Sequence, residues 1–172
     1  MFDSPFPWWM WLLPIIYALH ILEEGLAGER FYRWIGHIVH RTLTPGAFWL
    51  ANAVLLACSV ALLAAVSGPP GSVLLVSAFA AIAVLNGVGH AIGSALTRSY
   101  SPGCVSGLVL WAPVGVAALV WALRVGPPRT VVLGILLGVL IQVLLGLLAL
   151  VLTGHGSGRP TSASSRTPGG LP

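Results

Sequence analysis

His20, Glu23 and Glu24 stand together inside an apolar segment, with the carboxylates three and four residues after the imidazole. On a helix those spacings bring both carboxylates close to the imidazole face. A second polar stripe, Asn86, His90 and Ser94 with Thr97 beyond, runs at helical spacing through another apolar segment. Imidazoles and carboxylates together suit a divalent metal such as zinc or iron. Each ionisable side chain in a bilayer costs roughly 2.5–3.5 kcal/mol on insertion scales, so a cluster of them points to function. The expected ligands are His20, Glu23, Glu24 and His90, with Asn52 and Asn86 orienting them from behind. Glu23 or Glu24 would serve as general base, and Tyr100 as a hydrogen-bond donor or acid. His37 and His40 share a helix face and are further ligand candidates, although that spacing equally suits interfacial residues.

Plainer readings stand beside these. If the first helix ended near Leu22, Glu23 and Glu24 would be solvated and would pair with Arg30. His90 would then be a neutral core histidine bonded to a backbone carbonyl. Tyr100 to Gly103 would be a turn with proline at its second position.

Five apolar runs carry these residues: about Trp8–Leu26, Ala47–Val66, Ser72–Leu96, Val105–Leu123 and Thr130–Leu152. Each is near the ~20 residues that cross a ~30 Å hydrocarbon core. Backbone polar groups in lipid must be satisfied internally, so the runs are read as helices. Ser67–Gly71, Ser101–Gly103 and Gly126–Pro128 punctuate them. Glu29 to Thr44 mixes charges and histidines with Phe31, Trp34, Ile35, Ile38 and Val39, the pattern of an amphipathic helix lying at a membrane surface. The fold class is therefore an all-α membrane protein, a bundle of about five transmembrane helices with a short interfacial amphipathic helix after the first. The helical domain covers residues 1–153. Residues 154–172, rich in Gly, Ser, Thr, Pro and Arg, are expected to form a disordered cytoplasmic tail.

Counting from the ends of the runs, His20, His90 and Asn52 each lie six residues in from one side, roughly 9 Å deep at 1.5 Å per residue. Antiparallel helices would bring them to one level. Five spans place Arg30, Arg33, Arg41, Arg98, Arg159 and Arg166 on that side, and Arg124 and Arg129 on the other. The positive-inside rule makes the first set cytoplasmic, with the N-terminus outside and the C-terminus inside.

Composition agrees. Charged residues make up 7% and hydrophobic residues 57% of the 172, where a soluble domain carries about 25% charged. Mean hydropathy is +0.95. A net charge of +4 arises from eight basic residues that form no stripe, so nucleic acid is not an expected partner. Those eight are all arginine, which with 21 Gly and 13 Pro points to a GC-rich, bacterial source and a plasma-membrane location. Cys58 and Cys104 form no CxxC spacing, and no disulfide framework is expected. The N-terminus lacks a positive n-region and does not read as a cleaved signal peptide.

The string His20-Ile21-Leu22-Glu23-Glu24 resembles the motif that names the HXXEE-domain family of small membrane proteins. Phe48 and Asn52, Asn86 and His90, and Tyr100-Ser101-Pro102-Gly103 follow in the order of that family. The resemblance covers about residues 8 to 150. It implies a shared architecture and a shared polar site, and it supplies no reaction.

The leading expectation is a metal-dependent membrane enzyme that activates water or a small amphipathic substrate for hydrolysis, rearrangement or oxidation, with a place in bacterial secondary metabolism open to it. The alternative is a proton- or ion-coupled transporter, since Glu/His clusters also build proton relays, and Pro14 and Pro113 leave room for broken helices. Transporters are often built from internal repeats, and none is evident. A third reading is a non-catalytic membrane partner subunit held by interhelical hydrogen bonds. Expected partners are membrane lipid and a small-molecule or amphipathic substrate. A five-helix bundle is thin, which leaves room for a homodimer.

Overall fold

A computed structural model describes residues 7–39, 43–65 and 71–152, with side chains at 37–39 and 149–152 excepted. His40, Arg41, most of the Ser67–Gly71 turn and the tail from Gly154 onward lie outside the described residues, as does the His37 side chain. All regular structure among the described residues is helical.

A 3-10 turn, Trp8–Trp11, leads into α1 (Leu12–Leu26). Pro14 falls in the first turn of α1, where its missing N–H has no intrahelical partner to lose, so it does not break the helix. Helix α1 stops at Gly28, whose φ of +55° is left-handed backbone that glycine adopts without a Cβ clash. The chain then turns by 89° into α2 (Glu29–Val39). Next come α3 (Pro45–Ala65), α4 (Gly71–Thr97), α5 (Cys104–Val125) and α6 (Pro128–Leu152). Among the described residues, four helices are long and apolar enough to cross a membrane, or five if the bent α1–α2 pair counts as one span.

Helix α4 is the centre of the bundle and packs chiefly on α5 and α6. Its small residues allow this. On α6, a side chain at Gly134 or Gly138 would run into the Leu74 or Ala78 carbonyl of α4. Glycines four residues apart thus let two apolar backbones approach where no water is released to drive them together. Outward, Leu133, Leu136, Leu140, Leu144 and Leu147 of α6 are all more than half exposed. A row of this kind suits contact with lipid better than contact with water.

The interior is layered along the bundle. Met10, Leu13, Leu63, Val76, Ala80 and Ala118 fill one end. Ile16, Ala83 and Trp111 form the next layer. At the other end Ile21, Phe31, Trp34 and Phe48 pin α2 across α1 and α3. The apolar face of α2 is therefore partly used on protein. The polar residues of α1 and α4 sit between the last two layers.

Candidate metal centre

Helix α1 supplies His20 and Glu24, one turn apart on the same face. Helix α4 supplies His90. One oxygen of Glu24, Oε1, lies 3.0 Å from His90 Nε2 and 3.7 Å from His20 Nε2. One ligand atom from each of the three residues falls within 4.8 Å of the others. All three are buried, at 1% exposure for His20, 6% for Glu24 and 7% for His90. Among the described residues, no arginine pairs with Glu24. A carboxylate this dry is costly unless a cation or a proton faces it.

The loop between α4 and α5 closes the centre. Arg98, with φ of +48°, ends α4. Gly103, with φ of +93°, then lays its backbone over the cluster. A Cβ there would stand 2.8 Å from His20 Cε1 and 2.9 Å from both Glu24 Cγ and His90 Cε1. Two serines hold the outer ring nitrogens: His90 Nδ1 lies 2.6 Å from Ser101 Oγ, and His20 Nδ1 lies 3.0 Å from Ser106 Oγ. Aromatic walls fix the rings further. Trp34 stacks on His90 with centroids 5.8 Å apart, and Trp111 lies 5.0 Å from His20. Trp111 owes its position to a wide π-helical turn, Gly107–Trp111, just before Pro113. Such turns accommodate a proline whose N–H is missing from the helical ladder.

Ser106 offers its backbone N–H to Glu23 Oε2 and its hydroxyl to His20 Nδ1. Where Nδ1 carries the ring proton and donates it to that hydroxyl, His20 Nε2 keeps a lone pair, 3.7 Å from Glu24 Oε1. This nitrogen is buried and has no hydrogen-bond partner, as does Asn86 Oδ1 beside it. With Nε2 unprotonated, that nitrogen, the Asn86 oxygen and the Glu24 carboxylate form a place for a cation. A cation about 2.0–2.2 Å from each donor puts adjacent donors roughly 3.0–3.5 Å apart; Glu24 Oε1 stands 3.0 Å and 3.7 Å from the two Nε2 atoms, and all three ligand atoms lie within 4.8 Å.

Glu23 is placed differently from its neighbour. Its Oε1 accepts from the Tyr100 hydroxyl at 2.5 Å and from the Gly103 N–H at 3.0 Å. Its Oε2 accepts from the Ser106 N–H at 2.8 Å. Both oxygens thus serve the loop and the first turn of α5, where free N–H groups favour an anion. Partial burial and the bonded Glu23 carboxylate push the Tyr100 phenol up to about 12. Tyr100 keeps its proton and remains a donor at ordinary pH.

The asparagines lie further out. Asn52 accepts from Tyr17 at 2.8 Å and donates to the Phe48 carbonyl at 2.9 Å. Tyr17 in turn stacks on Trp111. Asn52 thus supports the centre through two rings, whereas Asn86 is beside His20 itself. Ser94 accepts from the Ser101 N–H at 3.0 Å and steadies the loop. Sequence reasoning missed Ser101, Ser106, Trp34 and Trp111 as parts of the site. Ser101 belongs to the Tyr100–Gly103 element, whose spacing was legible. Ser106 sits in an apolar run with no cue beside it.

Residues 11–118 match the family described as "Protein of unknown function with HXXEE motif". No curated protein and no solved structure gives a match. The match takes in well over half of the chain and includes His20, Glu23, Glu24, His90, Ser101 and Ser106, so this chain belongs to the HXXEE family.

Proposed function

We propose that the protein is a metal-dependent membrane enzyme whose divalent cation, zinc or iron, is held by His20, Glu24 and His90 in the cytoplasmic half of the bundle. The observation that carries this reading is the unpartnered His20 Nε2, buried between a carboxylate and a second imidazole. Two histidines and one carboxylate form a donor set that serves zinc hydrolases and non-haem iron oxygenases alike. When bound, such a cation supplies Lewis acidity toward a substrate oxygen or water.

The chain's own residues divide the remaining work. Ser101 and Ser106 hold the Nδ1 atoms, so both Nε2 atoms turn inward. Trp34, Trp111 and the Gly103 backbone keep bulk water from the ligands. Glu23 fixes the covering loop through three donors, and its bond with Tyr100 forms a phenol–carboxylate pair that holds one proton at the edge of the centre. In this reading Tyr100, held protonated by Glu23, acts as a hydrogen-bond donor to a substrate atom entering from the loop side.

Thermal unfolding in detergent tests the reading. A ligand that binds only the folded state stabilises it by about 2.7 kcal/mol at a hundredfold excess over its dissociation constant. Chelator treatment should lower the melting temperature, and zinc or ferrous iron should restore it in the wild type but not in His90→Ala. A melting temperature that ignores both chelator and metal would count against the proposal.

A further inference from the structure

A cleft of about 920 Å³ opens beside the centre, at the corner where α1 meets α2. Its walls include Leu26, Arg30, Arg33, Trp34, Tyr100 and Pro102. The volume suits a small molecule. Among the described residues its charged lining consists of the two arginines, three positions apart on α2, and no acidic residue lines it. Among the described residues neither arginine pairs with a carboxylate, and Arg33 Nε donates only to the Glu29 carbonyl at 3.3 Å. Guanidinium forks of this kind match the oxygens of a carboxylate or phosphate.

The other edge of the cleft is apolar. Leu26 is 82% exposed, and Leu22 and Leu19 continue its stripe up α1, each more than two-fifths exposed. A hydrocarbon chain lying along that stripe stays within the apolar surface of the bundle. Three lining residues also belong to the centre. Trp34 stacks on His90, Tyr100 bonds to Glu23, and Pro102 precedes the Gly103 backbone that covers the ligands.

We infer that this cleft binds an amphiphile with an anionic head, a carboxylate or phosphate monoester, whose head is held by Arg30 and Arg33 and whose chain runs along Leu26 and Leu22. The inference rests on the metalloenzyme reading only in making this amphiphile its substrate class. The anion site itself stands on the two arginines and the cleft.

Native mass spectrometry of the full chain in a neutral detergent tests this. The probes are dodecyl phosphate, dodecanol and inorganic phosphate, each titrated separately, with metal content measured on the same samples. The wild type should bind one dodecyl phosphate at least tenfold more tightly than either other probe. The double variant Arg30→Gln/Arg33→Gln should lose about tenfold or more of that affinity, since two charge-assisted contacts go. Its metal content should not change. Arg30→Lys/Arg33→Lys, which keeps the charge and loses the fork, should fall between. Equal binding of dodecanol would overturn the anionic head, and equal binding of inorganic phosphate would overturn the amphiphile in favour of a free anion. Undiminished affinity in the glutamine variant would overturn the site. A metal-free wild type that still binds dodecyl phosphate through the arginines would remove the metalloenzyme reading and leave the anion site standing.

Discussion

Glu24 on α1 and His90 on α4 meet with 3.0 Å between Oε1 and Nε2, inside a layer that admits almost no solvent. The contact joins the first helix to the central one at the depth where His20 also points inward. A buried carboxylate facing two imidazoles requires a cation or a proton among them. If that species is a metal, Glu24→Gln should weaken metal binding by more than the roughly 10–100-fold that losing an outer-sphere partner costs. Without metal the same variant should be as stable as the wild type or more so, because it removes a buried charge while keeping an oxygen. Melting curves with and without metal would show the opposite signs.

Ser106 offers its hydroxyl as an acceptor to His20 Nδ1–H, the tautomer that leaves Nε2 for a metal. Ser106→Ala removes that acceptor and leaves the imidazole free to protonate Nε2 instead. Metal affinity should drop by about 10–100-fold with the fold intact. Ser101→Ala should act in the same direction through His90. Competition against a chromophoric chelator would measure both. Equal affinities in wild type and both variants would show that the serines do not orient the ligands.

Gly103→Ala combines two penalties. The backbone there is left-handed, and the added methyl would press on His20, Glu24 and His90 together. The expected cost is about 2–4 kcal/mol, with loss of metal as the rings are pushed apart. Gly46→Ala on α3 meets open space and is the control, expected to melt close to the wild type.

The Tyr100–Glu23 bond has an alkaline signature. Tyr100, raised to about 12, keeps its bond in full below the ordinary phenol pKa near 10, and that stability is lost as pH rises through the folded value. Glu23→Gln removes the carboxylate but not the partial burial. Phenolate absorbance should then show one of the three tyrosines ionising closer to 10. An unchanged alkaline titration in Glu23→Gln would mean that the pair does not exist in solution.

Much of the fold was legible in the sequence, because apolar runs of spanning length admit only helices in lipid. The five runs became α1 and α3 to α6, and the charged stretch after Leu26 became α2. Pairing His20 with Glu24 followed from helical spacing. The division between Glu23 and Glu24 did not. Adjacent residues point about 100° apart on a helix, and both lay near enough to the His20 face to be ligand candidates. The donors that draw Glu23 aside are Tyr100, Gly103 and Ser106, whose approach to α1 is set by tertiary packing. The same holds for Ser106 as the His20 partner, since nothing local marks it. Asn52, expected from its depth to orient a ligand from behind, connects to the centre through Tyr17 and Trp111.

The most direct test of the central claim is the metal stoichiometry of detergent-purified protein by inductively coupled plasma mass spectrometry. Wild type, His20→Ala, His90→Ala and Glu24→Gln would be compared after growth with zinc or iron supplementation. Near-stoichiometric zinc or iron is expected in the wild type and little in the three variants, each still folded by circular dichroism. A folded wild type that holds no zinc or iron after supplementation would contradict it.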